Sequence, residues 1–210
     1  ANAYNLQRFH LVGHDWGSSV GWAFIAEHPE RLYSWTSLSI PHMKAFQEAY
    51  RSDFDQQRKS KYIKFFNMPF FPELYLSYNG YNNLKNIWSA HDDKEKEAYL
   101  SVFRQSGALR SALNWYRANI GRHRNLTDHI NFGIVEVPSL LIWGNMDMAI
   151  GRKSIVLNKQ YMAGPYNLLE LYAGHWLIQE SFKDVSKAII KHIKTYSLEY
   201  YEPQLGRKKK

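Results

Sequence analysis

The sequence predicts an α/β fold in which helices cover a parallel sheet and a helical segment interrupts it. Four short apolar segments that end at turn residues are typical of buried strands, and amphipathic segments separate or follow them. Strands that alternate with helices form right-handed crossovers and therefore a parallel sheet. The third observation is the length of the segment at residues 41–136, which separates the second strand from the third. This segment is too long for a loop inside a compact domain, so we expect it to fold as a mainly helical subdomain.

The apolar patterns place each element along the chain. The strands are predicted at residues 8–12, 33–40, 139–143 and 167–172. The helices are predicted at residues 17–27, 154–161 and 182–196, with a further one at 94–104 that Asp92 or Asp93 can cap. One face of the last core helix is expected to carry Val185, Ile189, Ile190 and Ile193. The domain organisation is therefore a core of residues 1–40 and 137–200, the insertion at 41–136 and a basic tail at 201–210.

The composition excludes several classes of protein. Lys and Arg number 27 against 19 acidic residues, but four of the positive charges form the terminal run at 207–210. The remaining basic residues are spread along the chain, whereas nucleic-acid binding needs them clustered, so we expect no nucleic-acid partner. The absence of cysteine excludes disulfide scaffolds, thiolate zinc sites and cysteine nucleophiles. No apolar run approaches the ~20 residues of a membrane helix, which predicts a soluble chain.

The strongest chemical signal is a Gly-x-Asp-x-Gly turn at residues 13–17, where a strand runs directly into a helix. Such a strained turn projects its middle side chain, here Asp15, above the sheet, and its glycines let strand and helix approach closely. A carboxylate there can displace a leaving group at saturated carbon and form an ester. The positive end of the helix favours its ionised form. An ordinary helix N-cap remains the alternative role for this residue.

Two more polar residues follow predicted strands. Asp147 lies in WGNMD after the third strand, and His175 lies in AGHW after the fourth. Ligands bind beyond the carboxyl ends of strands in open parallel sheets, and Asp15 follows such an end as well. The chain order nucleophile, acid, histidine is the order expected of α/β-hydrolases. Each residue alone could be structural, but the three together predict a catalytic triad.

These motifs and the helical insertion resemble the epoxide hydrolase and haloalkane dehalogenase branch of the α/β-hydrolases over essentially the whole chain. Two segments of the insertion, KYIKFFNMPFFPE at 61–73 and GALRSALNWYRAN at 107–119, are similar to the two cap segments of epoxide hydrolases. The resemblance implies that Tyr62 and Tyr116 hold the epoxide oxygen and donate a proton as the ring opens. Because the chain contains 15 tyrosines, a structural role for either remains an alternative.

The resemblance implies a reaction in two steps. Asp15 attacks the less hindered epoxide carbon to give a hydroxyalkyl ester, and His175, oriented by Asp147, then activates the water that releases a diol. Trp16 would supply an oxyanion donor through its backbone N–H. No metal or organic cofactor is implied, and the expected partners are a small lipophilic epoxide and water. The aromatic residues expected to line the apolar pocket are Trp16, Trp115 and Trp176, of which Trp176 could also be plain core.

The sequence departs from this family before its first strand. The family places several strands and a His-Gly-x-Pro loop ahead of the nucleophile, and here the nucleophile is Asp15. The first strand should then have an open apolar edge, which is an aggregation hazard. We expect the chain to be the C-terminal portion of a longer hydrolase, with a genuinely short variant as the alternative. Its location stays open: the full-length hydrolase would be cytoplasmic or attached to the endoplasmic reticulum membrane, in the latter case only through the missing segment. A dehalogenase with the same triad and a non-catalytic binding protein of this fold remain alternative functions.

Overall fold

The chain folds into two compact units in its computed structural model, which describes residues 1–88, 91–120 and 129–197. The sheet unit comprises Ala1–Lys59 and the chain from Ile130 onward, and the helical unit comprises Ser60–His129. The helical unit is therefore shorter than the insertion predicted at 41–136. The first two helices after the second strand group with the sheet unit, because the first of them packs against a helix of that unit.

A four-stranded parallel sheet forms the centre of the sheet unit, with the strands in the order β1-β2-β3-β4. The strands are β1 (Phe9–His14), β2 (Leu32–Leu38), β3 (Ser139–Gly144) and β4 (Tyr166–Leu171). Every predicted strand is found, and its ends differ from the prediction by no more than two residues. The predicted α/β class and the parallel sheet are thus confirmed.

Burial separates the inner strands from the outer ones. All six residues of β3 and six of the seven in β2 are buried, as expected for strands covered on both faces. None of the six residues of β1 is fully buried, and Val12 is 41% exposed. Within the described part of the chain, β1 is an edge strand.

Helices flank the sheet and make up the helical unit. In chain order they are α1 (Trp16–Glu27), α2 (Met43–Ser52), α3 (Phe54–Lys59), α4 (Lys61–Phe66), α5 (Phe71–Lys85), α6 (Asp93–Phe103), α7 (Ala108–Asn119), α8 (Arg152–Asn158), α9 (Leu177–Glu180) and α10 (Phe182–Tyr196). The described residues include no helix with the length and apolarity needed to cross a membrane.

Two apolar clusters cover the faces of the sheet. Trp22 of α1 packs with Trp35 of β2, whose ring would lie 2.0 Å from a Cβ atom placed on Gly21, so glycine permits this contact. Leu38 of β2 belongs to the second cluster, with Leu177 of α9. Since side chains alternate along a strand, Trp35 and Leu38 point to opposite faces, and the sheet is covered on both.

The packing of α10 differs in one respect from the prediction. Val185 is buried in the second cluster with Ile189 against it, but Ile190 is 52% exposed and His192 is buried in its place. Positions 185 and 192, which are buried, and position 189, which is partly buried, follow the i, i+4, i+7 spacing of one helix face, whereas position 190 turns away from it. The expectation that Ile190 faces the core was wrong.

The helical unit is held by both capping and ion pairing. Asp92 caps α6 by accepting a hydrogen bond from the backbone N–H of Glu95, so the prediction of an Asp cap is confirmed there. Arg117 of α7 forms a bidentate pair with Glu73 of α5, at 2.7 and 2.9 Å. The backbone of α5 leaves helical geometry from Tyr78 to Tyr81, so α5 consists of two helical pieces.

Candidate active site

The carboxyl ends of the four strands lie side by side. His14 pairs with Leu38, Leu38 pairs with Ile142, and Gly144 pairs with Leu171 in the parallel register. The loops that follow the strands therefore start at one edge of the sheet. This is the edge at which open parallel sheets bind ligands, and it carries the three residues predicted as a triad.

Asp15 occupies a strained turn between β1 and α1. Its backbone angles are φ 51° and ψ −121°, a positive φ that a non-glycine residue rarely adopts. A Cβ atom on Gly13 would lie 2.6 Å from the carbonyl carbon of Gly17, so a side chain at residue 13 would force strand and helix apart. A Cβ atom on Gly17 would meet nothing within 4 Å. Only Gly13 is thus needed for the close approach that the sequence assigned to both glycines.

The side chain of Asp15 does not cap α1. It makes no capping hydrogen bond, and instead its Oδ1 lies 3.0 Å from Nε2 of His175. The Asp15 side chain keeps 32% of its surface exposed, so the carboxylate is accessible from one side. The N-cap alternative is therefore wrong, and the geometry presents an accessible carboxylate beside an imidazole.

Asp147, in the loop after β3, is fully buried. Its Oδ1 accepts hydrogen bonds from the backbone N–H groups of Ala149 and Ile150, at 2.7 and 3.0 Å. Its Oδ2 lies 2.9 Å from Nδ1 of His175. These donors satisfy a buried carboxylate that water does not reach, and they orient it toward the imidazole.

His175, in the loop after β4, lies between the two carboxylates with only 5% of its surface exposed. Burial acts to lower the pKa of His175, but the hydrogen bonds and charges of Asp147 and Asp15 outweigh it and raise that pKa to about 10. Burial acts to raise the pKa of Asp15, yet the hydrogen bond and charge of His175 and a backbone hydrogen bond from Trp16 hold it below its usual range. The free site thus carries an imidazolium between two carboxylates.

The backbone around His175 is fixed by a carboxylate that the sequence analysis did not identify. Glu180 accepts hydrogen bonds from the N–H groups of Gly174, at 2.6 Å, and Trp176, at 3.2 Å. A Cβ atom on Gly174 would lie 2.8 Å from this carboxylate, so glycine permits the contact. One side chain therefore holds the backbone N–H groups of both residues that neighbour His175 in the chain.

The carbonyl oxygen of His175 also has two side-chain donors. His14 approaches it with Nε2 at 2.9 Å, and the hydroxyl of Ser39 donates at 3.2 Å. Ser39 follows β2 with a φ of 68°. The adjacency of His14 to Asp15 is visible in the sequence, but its contact with the distant His175 loop is not.

The two tyrosines predicted from the resemblance lie together in the helical unit. The ring centres of Tyr62 in α4 and Tyr116 in α7 are 6.0 Å apart, and Phe66 packs against both rings. Trp115, next to Tyr116, is 54% exposed.

The other two predicted pocket tryptophans lie in the sheet unit. Trp16, the first residue of α1, is half-buried. The ring of Trp176 lies 5.2 Å from that of His175. Across the described residues, no cluster of three or more histidine or acidic side chains has the arrangement of a metal site.

Comparison with known proteins identifies a matching family and similar proteins. Residues 1–181 match the family described as alpha/beta hydrolase fold. Epoxide hydrolase 4 of Homo sapiens is 33% identical over 191 residues, which cover 85% of this chain and 51% of the relative. Epoxide hydrolase 3 of Xenopus tropicalis is 30% identical, with the same shares covered. The chain spans about half the length of these curated relatives.

Solved structures show the same fold at lower identity. An epoxide hydrolase from Bacillus megaterium aligns with a TM-score of 0.81 at 21% identity, over 92% of this chain and 72% of that one. Epoxide Hydrolase A from Mycobacterium thermoresistibile aligns with a TM-score of 0.75 at 22% identity, over 94% and 72%. The α/β-hydrolase sheet expected from the sequence is thereby confirmed as the fold.

Proposed function

Since the chain belongs to the alpha/beta hydrolase fold family, we propose that it carries the reacting groups of an epoxide hydrolase, which converts a lipophilic epoxide to a diol through an ester at Asp15. The observation that carries the proposal is the contact between the accessible carboxylate of Asp15 and an imidazole that buried Asp147 orients. The curated relatives named as epoxide hydrolases support the same reaction class.

The first step is alkylation of Asp15. A carboxylate oxygen attacks the less hindered epoxide carbon, the carbon–oxygen bond of the ring breaks, and a hydroxyalkyl ester forms. The lowered pKa of Asp15 supports this role, because only the ionised carboxylate is a nucleophile. Aspartate is also better suited than serine to this displacement, since the resulting ester can be hydrolysed afterwards.

The opening epoxide must receive a proton on its oxygen. We assign this donation to the hydroxyls of Tyr62 and Tyr116, whose rings lie together in the helical unit. A phenol has a usual pKa of ~10 and stays protonated at neutral pH, as a donor must. Two donors aimed at the developing alkoxide stabilise it where its charge forms, and the phenolate left behind regains a proton from solvent.

The second step is hydrolysis of the ester. Alkylation of Asp15 removes one of the two carboxylates that raise the pKa of His175, so the imidazolium releases its proton more readily in the ester than in the free site. The neutral imidazole then takes a proton from water, which attacks the ester carbonyl. The bond between the carbonyl carbon and the alkoxide oxygen breaks, the departing oxygen takes the proton from the imidazolium to give the diol, and the Asp15 carboxyl group is regenerated. General-base assistance of this kind contributes ~10²–10⁴ in rate. The N–H of Trp16, which bonds to the Asp15 carboxyl group, is the proposed oxyanion donor.

The substrate is proposed to be apolar apart from its epoxide. Three aromatic residues are proposed to contact it: Trp16, which follows Asp15 in the chain, Trp176, whose ring packs against that of His175, and Trp115 in the helical unit. The chemistry requires water as the co-substrate and no cofactor, because the nucleophile, base and proton donors all come from side chains.

Single turnover in ¹⁸O-labelled water tests the proposal. With enzyme in excess over epoxide, the first diol should carry oxygen from the Asp15 carboxyl group, and the label should enter Asp15 instead. Direct attack of water on the epoxide would put the label in the first diol and would overturn the ester step. Halide release from chloroalkanes without diol formation from any epoxide would assign the same triad to a dehalogenase. Ligand binding without turnover of either substrate class would favour the non-catalytic alternative.

A further inference from the structure

Helix α3 holds the loop that carries Asp147. The Gln56 side chain is fully buried, its Nε2 donates to the carbonyl oxygen of Ala149 at 2.8 Å, and its Oε1 accepts from the N–H of Gly151 at 2.8 Å. The ammonium group of Lys59, three residues further along the same helix, donates to the carbonyl oxygen of Asp147.

These bonds alternate with those that the Asp147 carboxylate makes. The carboxylate accepts hydrogen bonds from the N–H groups of Ala149 and Ile150. Gln56 donates to the carbonyl oxygen of Ala149 and accepts from the N–H of Gly151. The short loop is therefore held both by its own residue Asp147 and by Gln56 of α3. A shift of the loop backbone would move the carboxylate that holds His175.

The contact requires a side chain with one donor and one acceptor at a fixed spacing. A carboxamide provides both, whereas an ionised carboxylate only accepts and a thioether of similar size does neither effectively. A Cβ atom on Gly151 would lie 3.2 Å from Oδ2 of Asp55 and 3.4 Å from Oε1 of Gln56. The loop backbone thus approaches α3 closely enough that a side chain at residue 151 would be crowded.

We propose that Gln56 is a positioning residue that acts on the His175–Asp147 hydrogen bond through the loop at residues 147–151. For turnover, this inference rests on the proposed function, in which ester hydrolysis needs that hydrogen bond and alkylation of Asp15 does not. Replacement of Gln56 should therefore slow hydrolysis more than alkylation. It should also weaken the hydrogen bond between Nδ1–H of His175 and Asp147 in the absence of any substrate.

The test compares Gln56→Met with Gln57→Met. Both remove a carboxamide from α3 and keep a similar side-chain length, but Gln57 is exposed while Gln56 is buried. The readout is the downfield proton resonance of the His175 Nδ1–H and its exchange rate with water. We expect exchange about tenfold faster in Gln56→Met, as for loss of one net hydrogen bond, and no change in Gln57→Met.

Gln56→Glu provides a second variant that differs by a single group. The protonated carboxyl group donates and accepts like the amide, whereas the ionised form cannot donate to Ala149. The ratio of the His175 Nδ1–H exchange rate in Gln56→Glu to that in the wild type should therefore approach one at acidic pH. This ratio should rise as the new carboxyl group ionises. This variant carries the test if Gln56→Met does not fold.

The outcomes separate the two proposals. Wild-type exchange of the His175 proton in folded Gln56 variants would overturn the positioning role. Faster exchange, together with no ester on Asp15 in any variant exposed to epoxide, would support the positioning role and reject the proposed function. Faster exchange with accumulation of the ester in Gln56→Met, but not in Gln57→Met, is the result that both proposals require.

Discussion

Asp15 and His175 each stabilise the charged form of the other across a distance of 3.0 Å between Oδ1 and Nε2. Burial alone would favour the neutral form of both groups. Their shifts run the opposite way, with the pKa of Asp15 lowered and that of His175 raised to about 10. The charge on one residue therefore sets the protonation of the other.

The variant Asp15→Asn should lower the pKa of His175, because an amide removes one of the two negative charges that hold the imidazolium. Titration of the His175 ring resonances by NMR measures the shift and needs no substrate. Asp184→Asn, which removes an exposed carboxylate in α10, is the control and should leave the pKa unchanged. An unaltered pKa of His175 in folded Asp15→Asn would show that the two residues are not coupled.

The same pair predicts how stability depends on pH. The pKa of His175 in the folded chain lies above its ordinary value of 6.5, so its stabilising contribution is complete below 6.5 and is lost as the pH rises toward about 10. Asp15 has a folded pKa below its ordinary value of 3.8, so its contribution is present above 3.8 and is lost as the pH falls through the lowered value. Urea unfolding across this range should show a loss of stability on the alkaline side. That alkaline loss should be much smaller in His175→Gln, and equal slopes in the two proteins would contradict the assignment.

The variant His175→Ala should stop the proposed reaction after its first step. Asp15 can still attack the epoxide, but the ester lacks the base that activates water. Intact-protein mass spectrometry should find one added substrate mass, and peptide mapping should locate it on Asp15. Asp15→Ala should form no adduct. An unmodified but folded His175→Ala protein would mean that the ester step or the assigned base is wrong.

The sheet was predictable because strands leave a local signal. Apolar runs that end at turn residues located all four strands, and β3, whose residues are all buried, shows the clearest run. The contacts of the helices depend on three-dimensional packing, and their prediction was less accurate, as exposed Ile190 and buried His192 show. The inclusion of α2 and α3 in the sheet unit likewise depends on packing against distant elements, which no local pattern records.

The placement of the three triad candidates was also predictable, because each follows a strand whose carboxyl end lies at one edge of a parallel sheet. Their supports were not. Glu180 and Gln56 each hold a loop backbone through two hydrogen bonds, and Gln56 lies 95 residues from Gly151 in the chain. A contact of this kind leaves no periodicity, and in the sequence buried Gln56 resembles its exposed neighbour Gln57.

Replacement of both proposed proton donors should slow formation of the ester. In the double variant of Tyr62→Phe with Tyr116→Phe, the opening epoxide loses the hydroxyls that stabilise its oxygen, and alkylation should slow by at least ~10²-fold. Tyr172→Phe removes a hydroxyl from a tyrosine that is 83% exposed and should have no effect. Rapid-quench measurement of the Asp15 adduct gives the rate directly. An unchanged rate in the double variant would assign proton donation to another group.

The strained turn at Asp15 can be tested through its two glycines, which differ in their surroundings. Gly13→Ala places a Cβ atom 2.6 Å from the backbone of Gly17, so β1 and α1 must separate, and we expect a loss of about 1–3 kcal/mol in the free energy of unfolding. Gly17 belongs to α1, and the Cβ atom added in Gly17→Ala would have no neighbouring atom within 4 Å. Alanine is favoured over glycine in a helix by roughly 0.5–1 kcal/mol, so this variant should be as stable as the wild type or more so. Urea denaturation of both variants measures the difference. Equal stability of the two variants would mean that the close approach at Gly13 does not constrain the turn.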